Sequence, residues 1–396
     1  MKLLYITQYF GVPEKAGGTR KYDISSSFVK RGVEVIVITS DNTGEAKSKW
    51  TYEERDGIKF YKLDCPYNNF MGIAKRLKSF LCFLFGSTRK AFSIDCDMIL
   101  ATSTPLTVGF PALMMHWLKR KPYIFEVRDV WPGCPFAMGY FRNPFVRKFL
   151  FGFEKLIYRE AAAIVPLSTG IDQNIKKRYP NDKSVVIPNI SEVNRFSNTK
   201  KTTDITVPEG KNMLLYTGTF GNVNGLSYII KFAAMTLSIE PNIVYYLIGN
   251  GKEKSENIRL AEELGVLNKN VFIYDPVRKN DLPYVYSLAT VGSSFVIDIP
   301  ALWDNSANKF FDTLAAHRPI VINYEGWQAD TIRINNCGYV LPTNPDKEDA
   351  MKFVEYMNNG ELLKTQGANA FELAEREYSL EVAMDKYMGI LEHIKS

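Results

Sequence analysis

Histidine and cysteine are scarce in this chain of 396 residues, which holds three of the first and five of the second. His116, His317 and His393 stand far apart. That spacing offers no metal site and no Ser-His-Asp arrangement. Cys65, Cys82, Cys96, Cys134 and Cys337 are odd in number and never spaced C-x-x-C, which argues against a disulfide framework and a zinc site. No run approaches about 18 uninterrupted apolar residues, so a bilayer-spanning helix is not expected. The opening M-K-L-L-Y-I-T passes straight into a strand pattern, so a leader is not expected. With reduced cysteines, the expected setting is the cytoplasm.

What is present is a globular composition, 46% apolar and 23% charged, long enough for two domains. The formal charge of +6 is unevenly spread. Residues 1–200 carry 31 Lys and Arg against 18 Asp and Glu, and the remaining 196 carry 18 against 25. Only the first half is therefore suited to an anionic partner.

Strand and helix patterns alternate along most of the chain, and such alternation builds parallel sheets covered by helices on both faces. In the first half the expected strands are 3–7, 34–39, 98–101, 123–127, 163–167 and 184–187, with helices over 17–30, 106–118, 143–159 and 169–178. A run rich in turn formers, residues 187–212, marks a linker. In the second half strands are expected at 213–217, 244–248, 271–274, 289–297 and 319–323, with helices over 226–237, 255–264, 282–288, 346–358 and 362–395. The domains are placed at 1–190 and 212–370, joined by a linker at 191–211, with a final helix over 371–396 crossing back to the first domain. The cleft between two such doubly wound domains is the expected ligand site.

The most informative segment is W-D-N-S-A-N-K-F-F-D-T-L-A-A-H-R-P, residues 303–319. Its small polar run precedes an apolar helical pattern after a strand, so a helix N-terminus at the mouth of a parallel sheet is expected to favour a phosphate. Asp312 then falls in the opening turns, where a carboxylate can accept ribose hydroxyls. An ordinary capped helix has the same local signature. Gly17 and Gly18 enter a helix after the first strand, and Gly218, Gly221 and Gly225 follow the strand at 213–217, without the G-x-G-x-x-G spacing of a dinucleotide site. Tyr274-Asp275-Pro276-Val277 is placed to line a base pocket. In Y-I-F-E-V-R-D-V-W-P, Glu126, Arg128 and Asp129 end an apolar strand. Three charges there need partners or a ligand: a salt bridge through Arg128, or a carboxylate steering an acceptor hydroxyl while Arg128 meets a leaving phosphate. Two basic aromatic stretches, 70–92 and 141–159, suit a membrane interface, with Lys75, Arg76, Lys78, Phe80, Phe83, Arg147 and Lys148 facing anionic lipid. Packing of the same aromatics in the core is the alternative. Their Arg and Phe also suit single-stranded RNA, but no RNA-binding signature accompanies them, and nucleic acid is not the expected partner.

Over essentially its whole length the chain resembles family 4 retaining glycosyltransferases of the GT-B fold, and is most similar to the capsule and O-antigen subgroup of N-acetyl-L-fucosamine transferases. The resemblance rests on A-G-G-T-R-K, on Asp304 and Asp312 separated by seven residues, and on the pattern S-x-x-K-x-F-[DE]-x-L-A-A-G-x-P from Ser306 onward. It implies two Rossmann-like domains and transfer from a UDP-sugar to a polyprenyl-diphosphate-linked sugar, with retention, no metal and no cofactor, at the inner face of the cell membrane. The implied donor-binding residues are Gly17, Gly18, Gly218, Thr219, Asn224, Val277, Ser306, Ala307, Asn308, Lys309 and Asp312, with Asp304 near the transferred sugar and Glu126, Arg128 and Asp129 acting beside it. Four positions depart from the family pattern: Thr219 and Asn224 stand where an Arg and a Lys grip the diphosphate, Arg128 of Arg128-Asp129 replaces the histidine of His-Asp, and His317 replaces a glycine. A UDP-sugar 2-epimerase and a non-catalytic binding scaffold share the same architecture.

Overall fold

Short apolar runs buried on both faces, such as Met98–Thr102 and Tyr123–Val127, set the architecture in the computed structural model, because only a sheet covered by helices on each side buries them fully. The structure describes residues 1–42, 48–67, 71–139 and 143–395. Phe70, Phe141 and Arg142 of the basic aromatic stretches lie outside them. The first sheet contains β1 (Lys2–Ile6), β2 (Glu34–Asp41), β3 (Trp50–Arg55), β4 (Ile58–Asp64), β5 (Met98–Thr102), β6 (Tyr123–Val127) and β7 (Ala163–Pro166), in the order β3-β4-β2-β1-β5-β6-β7. All neighbours are parallel except β3 and β4. The second sheet contains β8 (Asn212–Thr219), β9 (Ile243–Asn250), β10 (Val271–Tyr274), β11 (Val291–Ser294), β12 (Ile320–Ile322) and β13 (Gly338–Val340), ordered β10-β9-β8-β11-β12-β13 and parallel throughout.

Several expected elements differ. The first helix starts at Arg20, not at residue 17, because Gly17 takes φ +117, outside the helical region. No strand forms over 184–187; Ser184 makes one isolated bridge to Ile164. The antiparallel hairpin β3–β4, the helix Trp327–Asn335 and β13 lie where the sequence reading had none. The terminal helix is two, Gly360–Tyr378 and Leu380–Lys395, separated where Ser379 turns extended. Tyr387 and Met384 of the second pack with Tyr5, Ile24 and Phe28 of the first domain. His317 adopts φ +55, the conformation a glycine supplies without cost, and its ring lies 3.5 Å from that of Phe371.

The loop that follows β1 and the C-terminal ends of β8 and β9 face a shared cleft. The domains touch directly there: Lys279 and Asn280 donate backbone N–H groups to the carbonyls of Lys15 and Pro13, and Ser191 Oγ donates to the Phe311 carbonyl.

Candidate active site

A cavity of about 390 Å³ opens between the domains. Ala16, Gly17 and Gly18 wall it on one side; on the other stand the strand ends Thr217–Thr219 and Ile248–Asn250, then Val277, Lys279, and Ala307–Lys309 with Asp312. The glycine loop must lie close to the second domain, since a Cβ on Gly18 would run into the Asn308 amide. Gly218 has φ +155, and a Cβ there would sit 3.0 Å from Lys309 Cε. A side chain at either position would push into the cavity.

The helix Asn308–Ala315 begins at the cavity wall, and its first backbone N–H groups have no intrahelical acceptor. Lys309 is buried beside them with its ammonium 4.7 Å from the Tyr216 ring centroid. Burial lowers its pKa to about 8, against the smaller opposing pull of Asp312. A cation in such a position gains most from an anion supplied by a ligand. Asp312, one turn farther along and 5% exposed, has both oxygens 2.6 Å from the Lys279 ammonium. Lys279 also lies 5.6 Å from the ring centroid of Phe196, in the segment joining the domains. Neighbouring Arg195 bonds Asp23 and Thr19 of the first domain, so charged groups connect Asp312 to the segment joining the domains.

Of the expected donor residues, Gly17, Gly18, Gly218, Thr219, Val277, Ala307, Asn308, Lys309 and Asp312 line this cavity. Ser306 and Asn224 do not. Ser306 is spent on the chain leaving the first domain: its Oγ accepts from Asn189 N at 3.2 Å, and its carbonyl accepts from the Asn189 amide. Asn224 ends a 3-10 turn, Asn222–Asn224, outside the cavity lining. Asp304 is likewise not in the lining; it meets the N-terminus of the helix Thr169–Arg178, where Ser168 Oγ donates to its carbonyl at 2.6 Å and a Cβ on Gly170 would strike its carboxylate. Burial raises its pKa.

Glu126 is not placed to steer an acceptor hydroxyl. It is fully buried, with Arg20 Nη2 at 3.1 Å and Thr102 Oγ1 at 2.5 Å, and it accepts from the Tyr387 hydroxyl. Burial alone would raise its pKa, but Arg20, Arg128 and these hydrogen bonds outweigh it and hold the carboxyl down to about 2. Arg128 Nη1 lies 3.8 Å from Glu126 with its side chain 22% exposed, and exposed Asp129 accepts from Thr104 Oγ1 at 2.9 Å. The sequence reading missed Arg20 and Lys279. The signal for Lys279 was a charged residue in V-R-K-N-D, directly after the predicted base-pocket strand.

The helices of the basic aromatic stretches are Ile73–Phe92 and Pro144–Glu160, the second opened by Asn143 capping Phe145 N and by Pro144. Phe83 is 1% exposed and packs in the first domain's core, so it is not membrane-facing. Phe80 is half-buried and stacks on Tyr67, while Arg76 lies over that ring. Lys75, Lys78, Arg147 and Lys148 are exposed. Exposed beside them are Leu77, Leu81 and Phe85 on one helix and Phe145 and Phe149 on the other. Among the described residues no helix is long and apolar enough to cross a membrane.

Two family models match, a glycosyl transferase 4-like domain over residues 17–190 and glycosyl transferases group 1 over residues 197–373. Over 108 residues, 26% of this chain, 27% are identical to a putative colanic acid biosynthesis glycosyl transferase, WcaI, of Escherichia coli K12, and the match spans about a quarter of that relative's length (26%). Solved structures share the fold at low identity. Sucrose-phosphate synthase of Thermosynechococcus elongatus has a TM-score of 0.78 at 14% identity, covering 99% of this chain and 98% of its own. Anabaena HepE, solved with UDP-glucose, has a TM-score of 0.70 at 15% identity, covering 100% and 99%. WaaG, a lipopolysaccharide glycosyltransferase, has a TM-score of 0.66 at 15% identity, covering 98% and 99%.

Proposed function

From the premise that this chain belongs to the glycosyltransferases built of a 4-like domain and a group 1 domain, we propose that it transfers a sugar from a UDP-sugar to a polyprenyl-diphosphate-linked sugar in bacterial surface polysaccharide synthesis, with retention at the anomeric carbon. One observation carries the donor half of this reading: a helix N-terminus, a buried lysine and a carboxylate converge on one interdomain cavity. The helix end and Lys309 suit the diphosphate; Asp312 suits the ribose; Val277, in the cavity lining, suits the base. A leaving diphosphate develops charge as the glycosidic bond breaks, and preorganised N–H groups with Lys309 stabilise it without reorganising. Closure against the glycine loop excludes water. That HepE was solved with UDP-glucose supports the choice of nucleotide. The resemblance to N-acetyl-L-fucosamine transferases leads us to take an N-acetylated deoxyamino sugar such as N-acetylfucosamine as the transferred group, and the partial likeness to WcaI supports a polysaccharide pathway. Incubation with labelled UDP-sugars and a lipid-linked acceptor tests the reading. Transfer supports it; an isomerised donor points to an epimerase, and binding alone to a scaffold. The anomeric configuration of the product, read by NMR, tests retention.

Lys309 gives a pH dependence. A lysine whose folded pKa is lowered to about 8 is charged below that value and neutral above it. UDP affinity should therefore fall as pH rises through about 8, and Lys309→Met should weaken binding at pH 7 and flatten the profile, as measured by calorimetry. A slope that persists in Lys309→Met would assign the titration to another group.

The exposed aromatics and cations of the two amphipathic helices support peripheral attachment to the anionic inner leaflet. Phe145 is 83% exposed and Phe149 72%. Exchanging both for Ser should lower binding to phosphatidylglycerol vesicles at least about tenfold while UDP binding is retained. Equal flotation of variant and parent would remove this helix from the membrane contact.

A further inference from the structure

We propose that the first-domain wall of the cleft holds a second phosphate site, built on Lys21 and Arg128, that takes the diphosphate of the lipid acceptor. The proposal rests on the acceptor class inferred above. Arg20 and Arg128 flank one carboxylate, Glu126, and Lys21 lies near enough to feel the charges of all three. Arg20 is fully used: besides Glu126 it bonds the carbonyls of Ile187 and Pro188 and the Tyr387 hydroxyl. Arg128 is left at 3.8 Å from Glu126, and Lys21 gives its hydrogen bond to the Tyr9 carbonyl at 2.6 Å. Neither has a carboxylate within 3.5 Å among the described residues. The adjacent acid, Asp129, is engaged by Thr104.

These groups stand where β1 and β6 end, at the sheet edge from which the glycine loop also departs, and Lys21 lies in the first turn of the helix Arg20–Lys30, whose dipole adds to the positive field. Burial, then the nearby charge of Arg128, pushes the Lys21 ammonium down to about 7, a cost that a bound anion would offset. The donor pocket has its own cations on the opposite wall, Lys279 and Lys309. A row of half-buried aromatic rings leads away from Lys21. Tyr9 lies 5.0 Å from Tyr67, and Tyr67 lies 5.7 Å from Phe80 with Arg76 over its face. Phe80 belongs to the helix whose exposed Leu77, Leu81 and Phe85 mark the apolar outer stripe. A diphosphate at Lys21 and Arg128 therefore has an apolar border along which a prenyl chain can reach the membrane face.

Calorimetry with UDP saturating the donor pocket tests this, using farnesyl diphosphate and inorganic pyrophosphate as probes. The parent should bind both, the prenylated one more tightly. Lys21→Met and Arg128→Gln should each weaken both probes about tenfold, the worth of a charge-assisted hydrogen bond, with UDP affinity unchanged, and Lys21→Arg should restore binding. Tyr67→Ser should weaken farnesyl diphosphate alone. Unchanged diphosphate binding in the cation variants, or an equal loss of UDP affinity, overturns the site. Intact binding without sugar transfer would instead sink the proposed reaction and leave the site standing.

Discussion

Replacing Glu126 by Ala should destabilise the protein by about 3–5 kcal/mol, the cost of leaving a buried cation without its partner. Arg20 is 3% exposed and Glu126 fully buried. The pair joins four parts of the chain: the helix Arg20–Lys30, β6, the carbonyls of Ile187 and Pro188, and Tyr387 on the last helix. Losing the carboxylate should therefore loosen the docking of residues 380–395 before the rest unfolds, which hydrogen exchange would show as early deprotection of that helix. Glu126→Gln keeps hydrogen-bonding capacity and should cost less. The acid limb follows from the same group. Its folded pKa of about 2 lies below the ordinary glutamate value of 4.5, so its contribution is complete above that ordinary value and is lost as pH falls toward 2. The parent should lose about 3 kcal/mol more than Glu126→Gln over that interval. Parallel acid curves for the two proteins would mean that the carboxylate is not what holds the last helix.

The glycine loops, the motif helix and Asp312 were legible because each follows a strand and opens a helix, a local pattern that sequence order preserves. The Arg20–Glu126 pair was not, since its partners are 106 positions apart and nothing in F-E-V-R-D distinguishes a buried ion pair from a charged strand end. Alternation does place Glu126 and Arg128 on one face of the strand, and their 3.8 Å approach reflects it. The helix Ile73–Phe92 misled in another way. Its buried stripe is Ser79, Phe83, Ser87 and Ala91, with Gly86 against Leu63 of β4, so small residues let the helix lie close to the sheet while Leu77, Leu81 and Phe85 face outward. The expectation that Phe83 faces lipid fails because this ring fills the core between those small residues, which leave Leu77, Leu81 and Phe85 on the outer side. Ser306 failed for want of range: it belongs to the motif, yet its hydroxyl is bonded to Asn189 at the start of the linker.

Asp312→Ala should lower UDP affinity by about 2–4 kcal/mol, roughly 30- to 1000-fold, if two ribose hydroxyls donate to this carboxylate. The substitution also strips Lys279 of its partner, with both oxygens now 2.6 Å away, so weaker binding alone would not separate a lost contact from a disturbed pocket. The double substitution Lys279→Met with Asp312→Leu separates them. Exchanging a buried ion pair for apolar groups of similar volume is often neutral for stability, whereas it cannot restore an acceptor for ribose. Thermal unfolding of the double variant should therefore return close to the parent while UDP binding stays weak, and the parent's preference for UDP over its 2′,3′-dideoxy analogue should vanish. Recovery of UDP affinity in the double variant would place the ribose elsewhere and leave Asp312 as the counter-ion of Lys279 alone.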